Sequence, residues 1–142
     1  MKRDWNLLRE QLLAIEEGRD VFAGIPDVTQ IETSSSQPDE VEQQAKTTAA
    51  KEERARLLGH LELLVDAGYI EGIHLKRGWG GHFSYGASDP RLTMKGHDLL
   101  DTMRSPKVWA KIKEGALNRG IELSFDAIKA LGRVALDQII PG

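Results

Sequence analysis

The glycine-rich segment 76–86 brings together the side chains that proteins use to contact nucleic acid. It holds two cations, four glycines, a histidine and three aromatic residues. Cations can follow a phosphate backbone, and planar side chains can stack on bases. The predicted DNA contacts in this segment are Lys76, Arg77, Trp79 and His82. In the alternative interpretation, the aromatic residues fold over the core and the glycines only make turns.

A second set of predicted DNA contacts lies upstream, in and just before a predicted helix over 49–67. Its cations stand in the first half of the helix and oppose the helix dipole, as expected if they face phosphate. The residues just before the helix could add hydrogen bonds to phosphate, as helix N-termini do. Ordinary solvated charges are the alternative. The set comprises Lys46, Thr47, Thr48, Lys51, Arg54 and Arg56.

Residue patterns of catalysis and metal binding are missing from the sequence. There is no cysteine, and the four histidines show no paired ligand spacing. The nucleophile-elbow, phosphate-loop and dinucleotide motifs are also missing. Neighbouring acids such as Glu16-Glu17 point in different directions on a helix, so they cannot flank a scissile bond. We predict that the protein is not an enzyme and uses no cofactor or metal.

Charge is unevenly distributed along the 142 residues, whose formal net charge is −3. Residues 1–50 carry 5 basic and 10 acidic side chains, residues 51–104 carry 8 of each, and residues 105–142 carry 6 and 4. A global basic footprint is therefore absent, and any nucleic-acid binding must use a local face.

Composition also bears on location. No apolar run approaches the roughly 20 residues of a membrane-spanning helix, and the start MKRDWNLLRE lacks the apolar stretch of a signal peptide. We expect a cytoplasmic protein that does not associate with membranes.

Apolar spacing and turn residues predict the elements that must position these side chains. Strands are expected over 28–31, 69–75 and 91–93, with a glycine-rich hairpin tip at 76–86. The polar segment 33–48 is predicted to be a mobile insertion or to hold a short helix over 38–46. Further helices are expected over 4–17, 49–67, 94–103, 106–120 and 125–140.

This order of elements is typical of a winged helix, a helix-turn-helix variant whose β-hairpin forms the wing. The predicted fold class is mainly α with a small β-hairpin: a winged helix-turn-helix domain over 1–104, with its wing at 76–91, followed by a C-terminal helical extension over 105–142. The last helix carries an apolar seam that could pack on a second copy. The predicted dimer contacts are Phe125, Ile128, Leu131, Ala135 and Ile139.

Three segments resemble the domain of unknown function 2513 family, small proteins of bacteria and their phages or integrated elements. They are the opening Met1-Lys2-Arg3-Asp4-Trp5, the run from His60 to Gly72, and the run from Arg91 to Asp101. The segment 104–112, with Val108-Trp109, continues the resemblance. The resemblance implies a fold and a genetic context, and it implies no catalytic residues.

Two functions remain open from the sequence. The first is a phage or mobile-element protein that binds double-stranded DNA as a homodimer and acts as a transcriptional regulator or accessory factor. The second is a protein-interaction module on a winged-helix scaffold without DNA binding, such as an anti-defence inhibitor that binds a host protein. The acidic first third of the chain favours the second, because it repels DNA and attracts basic partners.

Overall fold

Five helices and one β-hairpin make up the part of the chain that the computed structural model describes, residues 1–27 and 40–139. The predicted class, mainly α with a small hairpin, is confirmed. The elements are α1 (Trp5–Glu16), α2 (Glu40–Asp66), β1 (Ile70–Arg77), a turn over Trp79–Gly81, β2 (Phe83–Leu92), α3 (Met94–Met103), α4 (Pro106–Arg119) and α5 (Phe125–Ile139). None of the described helices is both long enough and apolar enough to cross a membrane.

Local capping places most helix ends where the sequence predicts them. The Asp4 carboxylate accepts a hydrogen bond from the Leu7 N–H, and the hydroxyls of Ser105 and Ser124 cap α4 and α5 in the same way. Gly120 ends α4 with a φ of +63°, a conformation that glycine adopts cheaply. These signals are local, so they can be recognised without knowledge of the tertiary structure.

Helix α2 differs from the prediction. It is one continuous helix of 27 residues, so the predicted break between residues 46 and 49 is wrong. No glycine or proline lies between residues 40 and 58, and the Thr47 hydroxyl donates to the Gln43 carbonyl 2.8 Å away, inside the helix. Residues 40–48 of the predicted insertion are therefore helical. The strand predicted at 28–31 and the insertion residues 33–39 lie outside the described residues.

The hairpin is longer than predicted. Strand β2 begins at Phe83, where a loop was expected, and pairs antiparallel with β1 from Arg77↔Phe83 to Ile70↔Leu92. Only residues 78–82 form the tip, which a hydrogen bond from the Gly78 N–H to the His82 carbonyl closes at 2.6 Å. Glycine residues can take part in backbone pairing between strands, so the glycine content of the sequence overestimates the length of the loop. A register shift near Gly72, whose φ is +82°, marks a β-bulge at the base.

One hydrophobic core joins the segments on both sides of residue 104. Leu12 of α1, Leu61 of α2, Leu99 of α3, Ile112 of α4 and Ile128 of α5 are all completely buried in it. The domain boundary predicted at 104/105 thus separates helices that share a core. The Trp5 indole N–H also donates to the Leu123 carbonyl at 3.0 Å, which ties α1 to the segment before α5.

The apolar seam of α5 faces this same core. Ile128, Leu131 and Ala135 are buried in the chain, and Phe125 packs against them half-buried. The chain itself therefore already covers three of the predicted dimer contacts and part of the fourth, Phe125. The side chain of Ile139, the fifth predicted contact, lies outside the described residues. In the sequence, an apolar stripe is the same whether its own domain or a second copy buries it.

The close approach of α3 to the residue before β1 generates a stability prediction. A Cβ at Gly96 would overlap the Tyr69 carbonyl oxygen, whereas one at Gly59 of α2 would meet only the flexible end of Met1, with its sulfur 2.7 Å away. Helix propensity alone favours alanine over glycine by about 1 kcal/mol at both sites. We expect Gly96→Ala to lower the free energy of unfolding in urea by about 1–3 kcal/mol.

The matched variant Gly59→Ala should stay within about 1 kcal/mol of wild type. Equal stability of the two variants would show that α3 does not pack on Tyr69 as described.

Candidate nucleic-acid interface

The distal half of the hairpin carries no acidic side chain. From Ile73 to Ser88 the charged residues are Lys76 and Arg77, and two histidines accompany them. The side chains of His74 and Lys76 both lie on the exposed face of β1, where these residues pair with Gly86 and Ser84 of β2. A shallow hollow of about 310 Å³ runs along this strand pair. The exposed face thus combines a cation, an imidazole and a hydroxyl over small residues.

The hairpin tip presents a tryptophan to solvent. Trp79 is 97% exposed, while Trp109 is buried and Trp5 packs against the core. Glycines on both sides leave the indole without bulky neighbours in the chain. An aromatic side chain of this size gains about 2 kcal/mol or more when it is covered. His82, which ends the tip, is also exposed.

Arg54 holds the inner face of the hairpin against α2. Its guanidinium donates to the Phe83 carbonyl at 3.1 Å and to the Pro26 carbonyl at 3.3 Å, and it lies 5.1 Å above the Tyr85 ring. The Phe22 ring in turn packs on the Tyr85 ring, with 4.6 Å between the ring centroids. Arg54, predicted as a DNA contact, thus directs two of its donors at carbonyls of its own chain.

Arg56 belongs to a network that joins α1 to α2. Its guanidinium bonds to both Glu53 carboxylate oxygens and, at 3.0 Å, to Asp4. The hydrogen bond with Arg56 lowers the pKa of Glu53, and the same bond raises the pKa of Arg56. A DNA phosphate that contacted Arg56 would thus have to compete with two carboxylates of its own chain.

His60 completes that network from inside the core. It is fully buried, and its Nε2 accepts the Asp4 backbone N–H at 2.8 Å. Its Nδ1 lies 2.7 Å from the Arg56 carbonyl and, with Nε2 as acceptor, must carry the proton. His60 of α2 thereby holds Asp4, the residue that caps α1.

Arg77, a third predicted DNA contact, pairs with Glu62 of α2. Its Nε lies 3.0 Å from Oε2, and its Nη2 bonds to Oε1 of the same carboxylate. The guanidinium also lies 4.5 Å above the Phe83 ring. The hydrogen bond to Glu62 raises the pKa of Arg77, and the charges of Glu62 and Asp66 act in the same direction. Sequence spacing gave no sign of this pair.

The remaining predicted contacts lie nearer the start of α2. Lys46, Thr48 and Lys51 are exposed, and Thr47 is half-buried with its hydroxyl bonded inside the helix. The helix begins at Glu40, so the prediction that residues 46–48 precede it and offer free N-terminal amides is wrong. Lys46 is eight residues before Arg54, or about 12 Å along the helix axis. Lys46 is therefore about two helical turns from the contact between Arg54 and the hairpin.

No group of three or more histidine and carboxylate side chains within residues 1–27 and 40–139 is placed to hold a metal ion. His74 and His82 of the hairpin are exposed, and the buried His60 is hydrogen-bonded to backbone groups.

The family model described as "Hypothetical protein (DUF2513)" matches residues 2–122 of the chain. The chain belongs to the DUF2513 family. An uncharacterized protein of Haemophilus influenzae is 28% identical to it over 140 residues, which cover 99% of each chain. No solved structure matches the chain. The family resemblance predicted from the sequence is thus confirmed.

The DUF2513 match includes α1, α2, the whole hairpin, α3 and α4, and it ends before α5 begins at Phe125. All ten predicted DNA contacts fall inside the matched region, whereas the predicted dimer contacts, of which Ile128, Leu131 and Ala135 belong to the core, lie beyond its end.

The role of Arg54 can be tested by stability. Arg54→Ala removes two hydrogen bonds to backbone carbonyls and a cation–π contact, so we expect it to lower the free energy of unfolding by about 2 kcal/mol. Arg56→Ala removes surface ion pairs and should cost about 1 kcal/mol or less. Urea unfolding of both variants measures the difference. If Arg54→Ala is as stable as wild type, Arg54 does not hold the hairpin.

Proposed function

We propose that this DUF2513 protein binds double-stranded DNA through the distal half of its hairpin, as the wing of a winged-helix protein. The observation that carries the proposal is the 97% exposed Trp79 at the tip of a hairpin half that has two cations and no acid. In this proposal the protein is a transcriptional regulator or accessory factor of phage or mobile-element origin, and the hairpin takes over the main role that the sequence had assigned to α2.

The exposed strand face supplies contacts to the phosphate backbone. Lys76 offers a charge, while His74 and Ser84 offer hydrogen-bonding groups beside it. So few cations support only weak and salt-sensitive binding, because affinity rises with each phosphate neutralised. A homodimer that presents two hairpins would double the number of contacts. Its interface would lie outside the buried seam of α5.

Trp79 supplies contact with the bases. An exposed aromatic side chain at a narrow tip can stack on a base or enter a base step, as apolar wedges do in the minor groove. The flanking Gly78 and Gly80 carry no side chains that would hold the tip away from the groove floor. This contact would be tolerant of sequence, because every base has an aromatic face.

A protein-interaction module is the second candidate function. The engagement of Arg54 and Arg56 by groups of their own chain favours it, since these two cations are less available to phosphate. Tryptophan is also a frequent anchor of protein interfaces. The partner would be a host protein, bound through Trp79. Capture of a stoichiometric partner that survives nuclease and is lost in Trp79→Ala would support this candidate.

Duplex binding is tested by fluorescence anisotropy with a labelled duplex from about 50 to about 200 mM salt. We expect wild type to bind at low salt and to weaken steeply as salt rises. Lys76→Ala should reduce the slope of log affinity against log salt by about 1. Trp79→Ala should weaken binding about tenfold, which corresponds to the loss of one stacked base.

The matched controls lie on α4. Lys107→Ala removes an exposed cation, and Leu117→Ala truncates an apolar side chain that is 81% exposed. Both should bind like wild type. The proposal fails if no duplex binds at low salt, or if the α4 variants weaken binding as much as the hairpin variants.

A further inference from the structure

The Arg77–Glu62 pair stands at the edge of the proposed DNA-binding surface. Arg77 ends β1, next to the tip, and its side chain is 63% exposed. The Glu62 side chain comes from α2 and is 27% exposed. Nε and Nη2 of the guanidinium both face the one carboxylate, while the Phe83 ring lies beneath the guanidinium. The guanidinium is therefore oriented by a ring on one side and an acid at its edge.

A phosphodiester can take the place of this carboxylate. Guanidinium binds carboxylate and phosphate with the same two-pronged geometry. An ion pair as exposed as this one contributes little net stability, so a competing anion can displace Glu62 without a large loss. Phe83 would still support the guanidinium after the exchange, because the ring belongs to the hairpin itself.

The acids of α2 act against that exchange. Asp66 lies one helical turn after Glu62, and its charge also acts on Arg77. Both carboxylates repel an approaching phosphate, and Glu62 additionally occupies the donors that would bind it. Lys76 escapes this effect because strand alternation turns its side chain to the opposite face of β1.

We infer that Arg77 is a phosphodiester-binding group of the hairpin and that Glu62 competes with nucleic acid for it, so that Glu62 limits the affinity of the proposed surface. The inference rests on the proposed function. It identifies a carboxylate outside the predicted contact set as the residue that controls binding strength.

The decisive variant is Glu62→Gln, which keeps the shape of the side chain and removes its charge. Its matched control is Glu71→Gln, because Glu71 pairs with Arg91 at the base of the same hairpin and the change in net charge is identical. Glu71 is six residues before Arg77, about 20 Å along the strand.

Binding of a labelled DNA duplex is measured for each variant across a salt series, and thermal unfolding establishes that each is folded. We expect Glu62→Gln to bind about five- to tenfold more tightly than Glu71→Gln at low salt. Its slope of log affinity against log salt should be steeper by up to about 0.9, the value for one added phosphate contact. The double variant Glu62→Gln with Arg77→Gln should lose the gain.

Arg77→Gln alone gives a second readout that leaves Glu62 intact. It should make the salt slope shallower than that of wild type by the part of the contact that wild type already makes, so that the slopes of Glu62→Gln and Arg77→Gln differ by about 0.9, the value for one phosphate contact. If wild type binds duplex but Glu62→Gln and Glu71→Gln behave alike, Glu62 does not compete and this inference is overturned while the proposed function stands. If wild type and Glu62→Gln both fail to bind at low salt, the proposed function is overturned and the inference with it.

Discussion

The orientation of the hairpin depends on Arg54. Two backbone carbonyls, those of Pro26 and Phe83, accept hydrogen bonds from its guanidinium, and the Tyr85 ring lies against the same group. This one side chain of α2 thereby donates hydrogen bonds both to the loop before residue 28 and to the start of β2. Because the inner face of the hairpin is held in this way, the outer face with His74 and Lys76 is the one that solvent reaches, and Trp79 is carried at its far end.

The same use of arginine inside the protein decides which cations are left for a ligand. Arg54 holds the hairpin, Arg56 joins α2 to α1, and Arg77 pairs with Glu62. Of the cations predicted to act along α2, Arg56 is thus paired with carboxylates and Arg54 is bound to carbonyls of its own chain. The distal hairpin differs in having no acidic residue from Ile73 to Ser88 and in carrying an uncovered indole, and the proposed binding through such a surface would be weak and strongly dependent on salt.

Local signals allowed much of the fold to be predicted from the sequence. Asp4, Ser105 and Gly120 determine helix ends through their own side chains or backbone freedom, so α1, α3 and α4 were predicted within a residue or two. The pair of hairpin strands and the apolar stripes were also predictable, because periodicity reports which face is buried.

Features that depend on distant contacts could not be predicted in this way. The inward guanidinium of Arg54 needs the Phe83 carbonyl, which is 29 residues away, and the Glu62–Arg77 pair forms only when the hairpin folds back on α2. Likewise, an apolar stripe on α5 gives no information about whether its own core or a second copy covers it. The continuity of α2 was missed because polar composition was taken as a break, although no residue there interrupts a helix.

The indole N–H signals in a nitrogen–proton correlation spectrum, recorded while unlabelled DNA duplex is added at low salt, test the central claim most directly. The three tryptophans report on three places: Trp5 donates to Leu123, Trp109 donates to Asn6, and Trp79 is exposed at the tip. We predict that the Trp79 indole and the backbone amides of residues 74–86 shift, while the other two indoles stay in place. Shifts confined to α4 and α5, or no shifts at all, would contradict a nucleic-acid-binding hairpin.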